Sequence, residues 1–369
     1  MKINKQFILL SFIIIIAFTV FSFIPNFERE QFDSEIIEDI SSGTITTTTI
    51  QTTEENNLDN NQIDDGIENE NFDTNIYDSL LIHNKTKRID NLFTTYLVIG
   101  SDERSLNSSA SRGNAQGSRA DVILLIMVDK QSNVSLMSLP RDLLIEDPCT
   151  NKIQRINSSY TNNGCGTNAE NLSAVILNVT GLKINHFVKF SFEGFEQIID
   201  SLNGVEICVD KTQREGYSFE LQKGCNLVNG EIALNWIVSR NTEILDGQKL
   251  VNESGEDIST WKPMPGVSDL TRIQKQQQLI LSLMDRIKNF NSFNSFLSFV
   301  NALESTFTID QNISVLEATN LLWDFREIDY DKVNKLTVPT TNYRTENGAQ
   351  VLILVQNVYD FLESNDLVE

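Results

Sequence analysis

Residues 121–142 read DVILLIMVDKQSNVSLMSLPRD, and this stretch decides the fold. Val122 to Val128 is an unbroken apolar run, the pattern of a central strand covered on both faces. Asp129 to Asn133 supplies turn residues, and Val134 to Leu139 resumes as a second strand. If Val128 faces Val134 across the turn, counting back along both strands sets Asp121 opposite Arg141, at the end of the hairpin away from the turn. Upstream, Thr95 to Gly100 (TYLVIG) reads as a further strand ending at a glycine. Running antiparallel to Val122–Val128, it delivers Asp102 to the same edge. Asp102, Arg119, Asp121, Arg141 and Asp142 are then expected in one small volume.

Downstream, Ala169 to Val179 has helical spacing. His186 to Glu193 alternates, with Val188, Phe190 and Phe192 on one face. Phe195 to Leu202 reads as helix, Val205 to Val209 as extended chain and Glu231 to Ile237 as helix. Ser268 or Asp269 can cap a long helix reaching about Asn289, with Ile273, Ile280, Met284 and Ile287 as its buried stripe. Helical patterns follow from Phe293 and around Leu316 to Phe325, and Val351 to Leu362 forms a last helix or strand–helix element. Strands and helices mix, with at least one hairpin. The class expected is α/β, a three-layer α/β/α sandwich with a mixed central sheet.

The chain has 369 residues and a net charge of −22, with much of the excess acid before residue 91. That balance argues against a nucleic-acid partner, which needs a basic face. Phe7 to Ile24 carries no charged residue and, at about 1.5 Å per residue, nearly spans a hydrocarbon core of roughly 30 Å. Lys2 and Lys5 precede it and Glu28 and Glu30 follow. The expected organisation is therefore a cytoplasmic tail (1–6), a transmembrane anchor (7–24), a stalk (25–91) and a single extracytoplasmic domain (92–369). The stalk contains TITTTTIQTTEENNLDNNQIDDGIENENFD, too polar to offset its ordering entropy, and is expected to be disordered. A cleaved signal peptide is the rival reading of the apolar run, but FSFIPNFE offers no small-x-small site.

Two carboxylates among several arginines suit a pyrophosphate held with a divalent cation. Hard oxygen ligands bind Mg²⁺, and guanidinium forks grip phosphate oxygens. Ordinary strand-end salt bridges are the competing explanation. Arg272, in the first turn of the long helix, sits where the macrodipole disfavours a cation and where an anion would be welcome. Gln276 is one turn on, Arg240 ends the preceding helical segment, and Lys152 offers another cation in KIQRIN. Cys149, Cys165, Cys208 and Cys225 have no C-x-x-C spacing, and only His83 and His186 could join them, so a zinc site is not expected. Local pairs would close two short loops, each worth about 3 kcal/mol. Two other pairings and reduced thiols remain open.

These fragments fall in a recognisable order: GSD (Gly100–Asp102), R-x-D (Arg119–Asp121), SLPRD (Ser138–Asp142), KI…N (Lys152 to Asn157), F-x-F-x-G-F (Phe190 to Phe195), LNGVE (Leu202–Glu206), NGEIAL (Asn229–Leu234), S-R (Ser239–Arg240) and D-x-x-R-I-Q-x-Q-Q (Asp269–Gln277). From about Tyr96 to Ile287 the ordered set resembles the LytR–CpsA–Psr family of bacterial cell-wall ligases. The resemblance implies a polyprenyl chain in a hydrophobic tunnel between sheet and helices, and Mg²⁺-dependent transfer of a glycopolymer from polyprenyl pyrophosphate to a cell-wall glycan. It implies Asp102 and Asp121 as metal ligands, and Arg119, Arg141, Lys152, Arg240, Arg272 and Gln276 as the pyrophosphate cradle. It also favours local disulfides. Val238 stands where many members have an arginine, and Leu106–Gly117 and Asn241–Val267 look like insertions. A polyprenyl-pyrophosphate hydrolase and a non-catalytic membrane-anchored lipid- or wall-binding regulator are the alternatives.

Overall fold

The computed structural model describes residues 28–34, 81–101, 119–161, 164–239, 241–265, 269–302, 306–312, 323, 332–345 and 348–368. Seven strands form the central sheet: β1 (Glu28–Glu30), β2 (Phe93–Ser101), β3 (Ala120–Asp129), β4 (Val134–Ser138), β5 (His186–Ser191), β6 (Phe307–Asp310) and β7 (Asn334–Thr337). Their spatial order is β1-β6-β5-β2-β3-β4-β7. Three parallel pairs (β1 with β6, β2 with β5, β4 with β7) are interspersed with three antiparallel ones, so the sheet is mixed as expected. The β3–β4 hairpin has the register read from its turn: Val128 pairs with Val134 and Leu124 with Ser138.

Among the described residues the α-helices are α1 (Asn168–Thr180), α2 (Phe192–Ser201), α3 (Gly230–Val238), α4 (Asp269–Lys288), α5 (Phe293–Ala302) and α6 (Val358–Glu363). Alternation along β2 and β3 sends Leu97, Ile99, Ile123, Leu125 and Met127 into a core shared with α1 and α6. The opposite face presents Leu124, Val134 and Leu136, with Val98, Ile126 and Val128 beside them, to Ile280, Leu281 and Met284 of α4. Helices thus cover both faces of the sheet. A second core joins α2, α3 and Leu279 of α4 to the hairpin Val205–Val209/Gly224–Val228.

Local chemistry sets the helix ends. Thr167 and Glu170 form a reciprocal capping box at the start of α1. Gly181 ends α1 at φ 73°, and a Cβ there would lie 2.1 Å from the Lys87 carbonyl oxygen. Ser191 caps α2 by accepting from Gly194 N at 3.0 Å, so the alternation expected through Glu193 stops at Ser191 and helix begins at Phe192 rather than Phe195. The end of the chain is strand then helix, Gln350–Leu354 followed by α6. Cys149–Cys165 and Cys208–Cys225 are the disulfides, the second across directly paired residues of a hairpin.

The stalk reading needs correction at both of its ends. Glu28–Glu30 is an edge strand of the sheet, Phe32 is fully buried against Phe187, and Asn312 Nδ2 donates to the Phe32 carbonyl at 2.6 Å. Residues 81–91 also belong to the domain, with Asn84 Nδ2 donating to the Leu144 carbonyl at 2.9 Å and Ile89 in the core. The remainder of the expected stalk, the anchor 7–24, the Leu106–Gly117 insertion and all of Leu316–Phe325 but Trp323 lie outside the described residues. Among the described residues no helix is long and apolar enough to cross a membrane.

Candidate active site

The ends of β2, β3 and β4 build the site. Gly100 pairs with Val122 but Ser101 pairs with Ala120, so Asp121 is the extra residue of a bulge on β3. A bulge bends the strand and re-aims that side chain. Gly100 opposes it for a steric reason, since a Cβ there would lie 2.9 Å from Val122 Cβ and 3.3 Å from a Phe190 ring carbon. Past β4, Leu139 N donates to the Ile123 carbonyl at 3.0 Å and Leu143 N to the Pro140 carbonyl at 3.0 Å, turning the chain sharply. Asn157 N donates to the Arg141 carbonyl at 3.2 Å and Leu352 N to the Asp142 carbonyl at 2.9 Å, which fixes both backbones.

The side chains then form an alternating chain of charge. Arg141 Nη1 donates to Asp121 Oδ1 in a short contact. Arg141 Nε lies 3.7 Å from Asp142 Oδ2, and Arg155 Nε lies 3.4 Å from Asp142 Oδ1. All four side chains are 17–23% exposed, open on one side to solvent. Neither Nε has a hydrogen-bond partner although both atoms are buried. Two guanidinium groups held on either side of one carboxylate, with side chains still partly open to solvent, can offer N–H groups to an anion with several oxygens.

Arg155 is the residue that sequence reading passed over. It lies in the hairpin Leu144–Asp147/Lys152–Arg155, opposite Leu144, and its Nη2 donates to the Gln350 carbonyl at 3.0 Å. Lys152, expected in the cradle, is exposed and pairs with Asp147 at the far end of that ladder, about 10 Å away by strand rise. The cation beside Asp142 is therefore Arg155 and not Lys152. The available signal was strand alternation across a hairpin whose register the sequence left unread.

The helix α4 arrives over the same sheet end. Gln277 Nε2 donates to Ser138 Oγ at 3.2 Å and to the Leu336 carbonyl at 3.0 Å, three residues before Arg141. Gln276 is adjacent and partly exposed, and the backbone of Arg272 lies one turn closer to the helix start. Arg119 precedes β3 next to Ala120, which pairs with Ser101 at the end of β2. Asp102 and Arg240 lie outside the described residues, as do the cap of α4 and the Arg272 side chain.

A hard divalent cation fits the chemistry of this corner. Asp121 and Asp142 offer oxygen donors, and one or two carboxylates with substrate phosphate oxygens are what Mg²⁺ takes. Among the described residues Glu206, Cys208 and Cys225 also cluster, but both sulfurs are spent in a disulfide and cannot act as thiolate ligands.

The sequence model of the LytR_cpsA_psr family matches residues 44–248 and 261–365. The probable cell wall biosynthesis protein LcpB of Corynebacterium glutamicum is 25% identical over 167 residues, 43% of this chain and 39% of that protein. The polyisoprenyl-teichoic acid–peptidoglycan teichoic acid transferase TagT of Bacillus subtilis is 21% identical over 234 residues, 61% of this chain and 62% of that protein. The match thus spans less than two thirds of either relative's length. Among solved structures, a LytR-Csp2A-Psr enzyme from Actinomyces oris aligns with TM-score 0.55 and 21% identity, covering 76% of this chain and 96% of that one.

Proposed function

The chain belongs to the LytR–CpsA–Psr family, and from that premise we propose that it is a phosphotransferase moving a glycopolymer from polyprenyl pyrophosphate onto peptidoglycan or another cell-wall glycan. The observation that carries the reading is the alternating Asp121–Arg141–Asp142–Arg155 chain of charge, partly open to solvent at the ends of the sheet strands. Arg141 and Arg155 bind and orient the pyrophosphate, and Arg119, Arg240, Arg272 and Gln276 complete the cradle. Asp121, joined by Asp102, would hold Mg²⁺, which when bound supplies further charge neutralisation. A glycan hydroxyl attacks the polymer-bearing phosphorus, its bond to the lipid phosphate breaks, and polyprenyl phosphate leaves. The residues act by positioning and by stabilising charge rather than by covalent chemistry.

The lipid has a fitting surface beside the charges. Val98, Ile126 and Val128 of the sheet and Ile280, Leu281 and Met284 of α4 face one another and are only partly buried. In this reading Phe7–Ile24 anchors the chain, with the domain on the outer side of the membrane. The decisive experiment is Arg141→Ala in the full chain, assayed for polyprenyl phosphate release with wall glycan and Mg²⁺. Release should fall on the order of 100- to 1,000-fold while circular dichroism is unchanged. Full activity in the folded variant sinks the assignment, and release that ignores the glycan acceptor identifies a hydrolase instead.

A further inference from the structure

We propose that Lys275 is a positioning residue for the pyrophosphate cradle, tying the segment that carries Arg240 to the helix that carries Arg272 and Gln276. The inference rests on the proposed function and adds to it a residue that touches no substrate. Lys275 lies on α4 between the two cradle positions, yet it is 6% exposed and reaches α3. Its Nζ donates to the Trp236 carbonyl at 3.1 Å and to Thr242 Oγ1 at 3.2 Å. Those two acceptors bracket Arg240 in the chain. Trp236 is in the last turn of α3, and Thr242 opens the segment that follows.

The partners are fixed in turn. Thr242 Oγ1 lies 2.6 Å from Ser239 Oγ, both residues are buried, and Met264 N donates to the Thr242 carbonyl at 2.8 Å. Ser239 and Thr242 are thus joined by the hydroxyl pair, and Thr242 is held by the chain returning toward α4. The ammonium also sits 5.3 Å from the centre of the Trp236 ring. A cation near the C-terminal carbonyls of α3 is placed where the helix dipole favours it. Burial of a lysine is unfavourable unless its donors are used, and here two acceptors lie on either side of Arg240 in the chain. Lysine reaches this place where a shorter donor would not, and arginine is the conservative alternative that keeps charge and length.

The test compares wild type, Lys275→Met, Lys275→Arg and Thr242→Val as full chains, with a polyprenyl-pyrophosphate-linked donor and wall glycan. Lys275→Met should lower kcat about 100-fold, the scale of a misplacement near 1 Å, with KM for the donor changed by less than about threefold. Lys275→Arg should recover most of that loss. Should Lys275→Met fail to fold, Thr242→Val decides, since it removes one acceptor without leaving an empty space. A tenfold or greater fall in kcat with unchanged melting temperature supports the proposal. Wild-type kcat in folded Lys275→Met or in Thr242→Val overturns it, as does an arginine variant no better than methionine. A wild-type chain that releases no lipid phosphate fails the proposed function instead, a distinct outcome.

Discussion

Asp121 and Arg141 met as the sequence implied because an antiparallel hairpin with a short turn has one register, and register fixes which residues oppose. Arg155 shows the limit of that logic. Lys152 and Arg155 are both cations on one short strand, and only the pairing with Leu144–Asp147 decides which end meets Asp142. Arg155→Ala is therefore expected to lower transfer at least 100-fold, the scale for losing one buried donor to a charged oxygen, whereas Lys152→Ala should leave it within about twofold; steady-state kinetics on both variants checks the order. Gly100 is constrained by packing, so Gly100→Ala should destabilise the fold by about 1–3 kcal/mol through overlap with Val122, read as a shift of the urea midpoint. Val238, where the family resemblance leads one to expect arginine, is 37% exposed at the end of α3. Placing arginine there should leave the melting temperature unchanged and tighten inhibition by inorganic pyrophosphate.

Among the elements, the insertion is narrower than its sequence boundaries implied. The family match skips only residues 249–260, while Glu243–Leu245 and Trp261–Pro263 extend a small sheet with Gln213–Glu215 and Phe219–Leu221. Asp257 fastens the inserted hairpin, accepting from Arg214 Nη1 at 2.9 Å and Trp261 Nε1 at 3.0 Å. Hydrogen bonds from Ser259, with help from Trp261 and Arg214, lower its carboxyl to about 2 from an ordinary 3.8. A depressed carboxylate stabilises above its unfolded value and stops doing so as pH falls through the folded one. The Trp261 indole resonance should therefore hold its position down to about pH 3.8 and shift near pH 2, and Asp257→Asn should remove that titration. The sequence marked this region as extra but could not show it fastened, because Arg214 and Asp257 are joined only when two hairpins share one sheet.

For the whole molecule, the largest difference from the sequence reading lies at the N-terminal side. The apolar run ends at Ile24 and β1 begins at Glu28, so with the proposed anchor in the bilayer the sheet edge lies within about 14 Å of it. The domain is then fastened near the membrane rather than carried on a stalk. Phe32→Ala should cost about 3–5 kcal/mol, as for a buried aromatic. A flexible spacer inserted between Ile24 and Pro25 should reduce transfer from a bilayer-embedded donor and spare turnover of a water-soluble short-chain donor; equal loss on both would refute the arrangement. By itself the sequence determined the mixed α/β class, the central hairpin with its Asp121–Arg141 encounter, and the start of most helices. Those features depend on periodicity, turn length and capping, all of which act over a few residues. Only the tertiary structure decided that Glu28–Glu30 completes the sheet, that Arg155 and not Lys152 meets Asp142, and that Lys275 and Gln277 tie α4 to other segments. Each of these is a contact between segments far apart along the chain, and no local pattern encodes which distant partner will satisfy a strand edge or a buried charge.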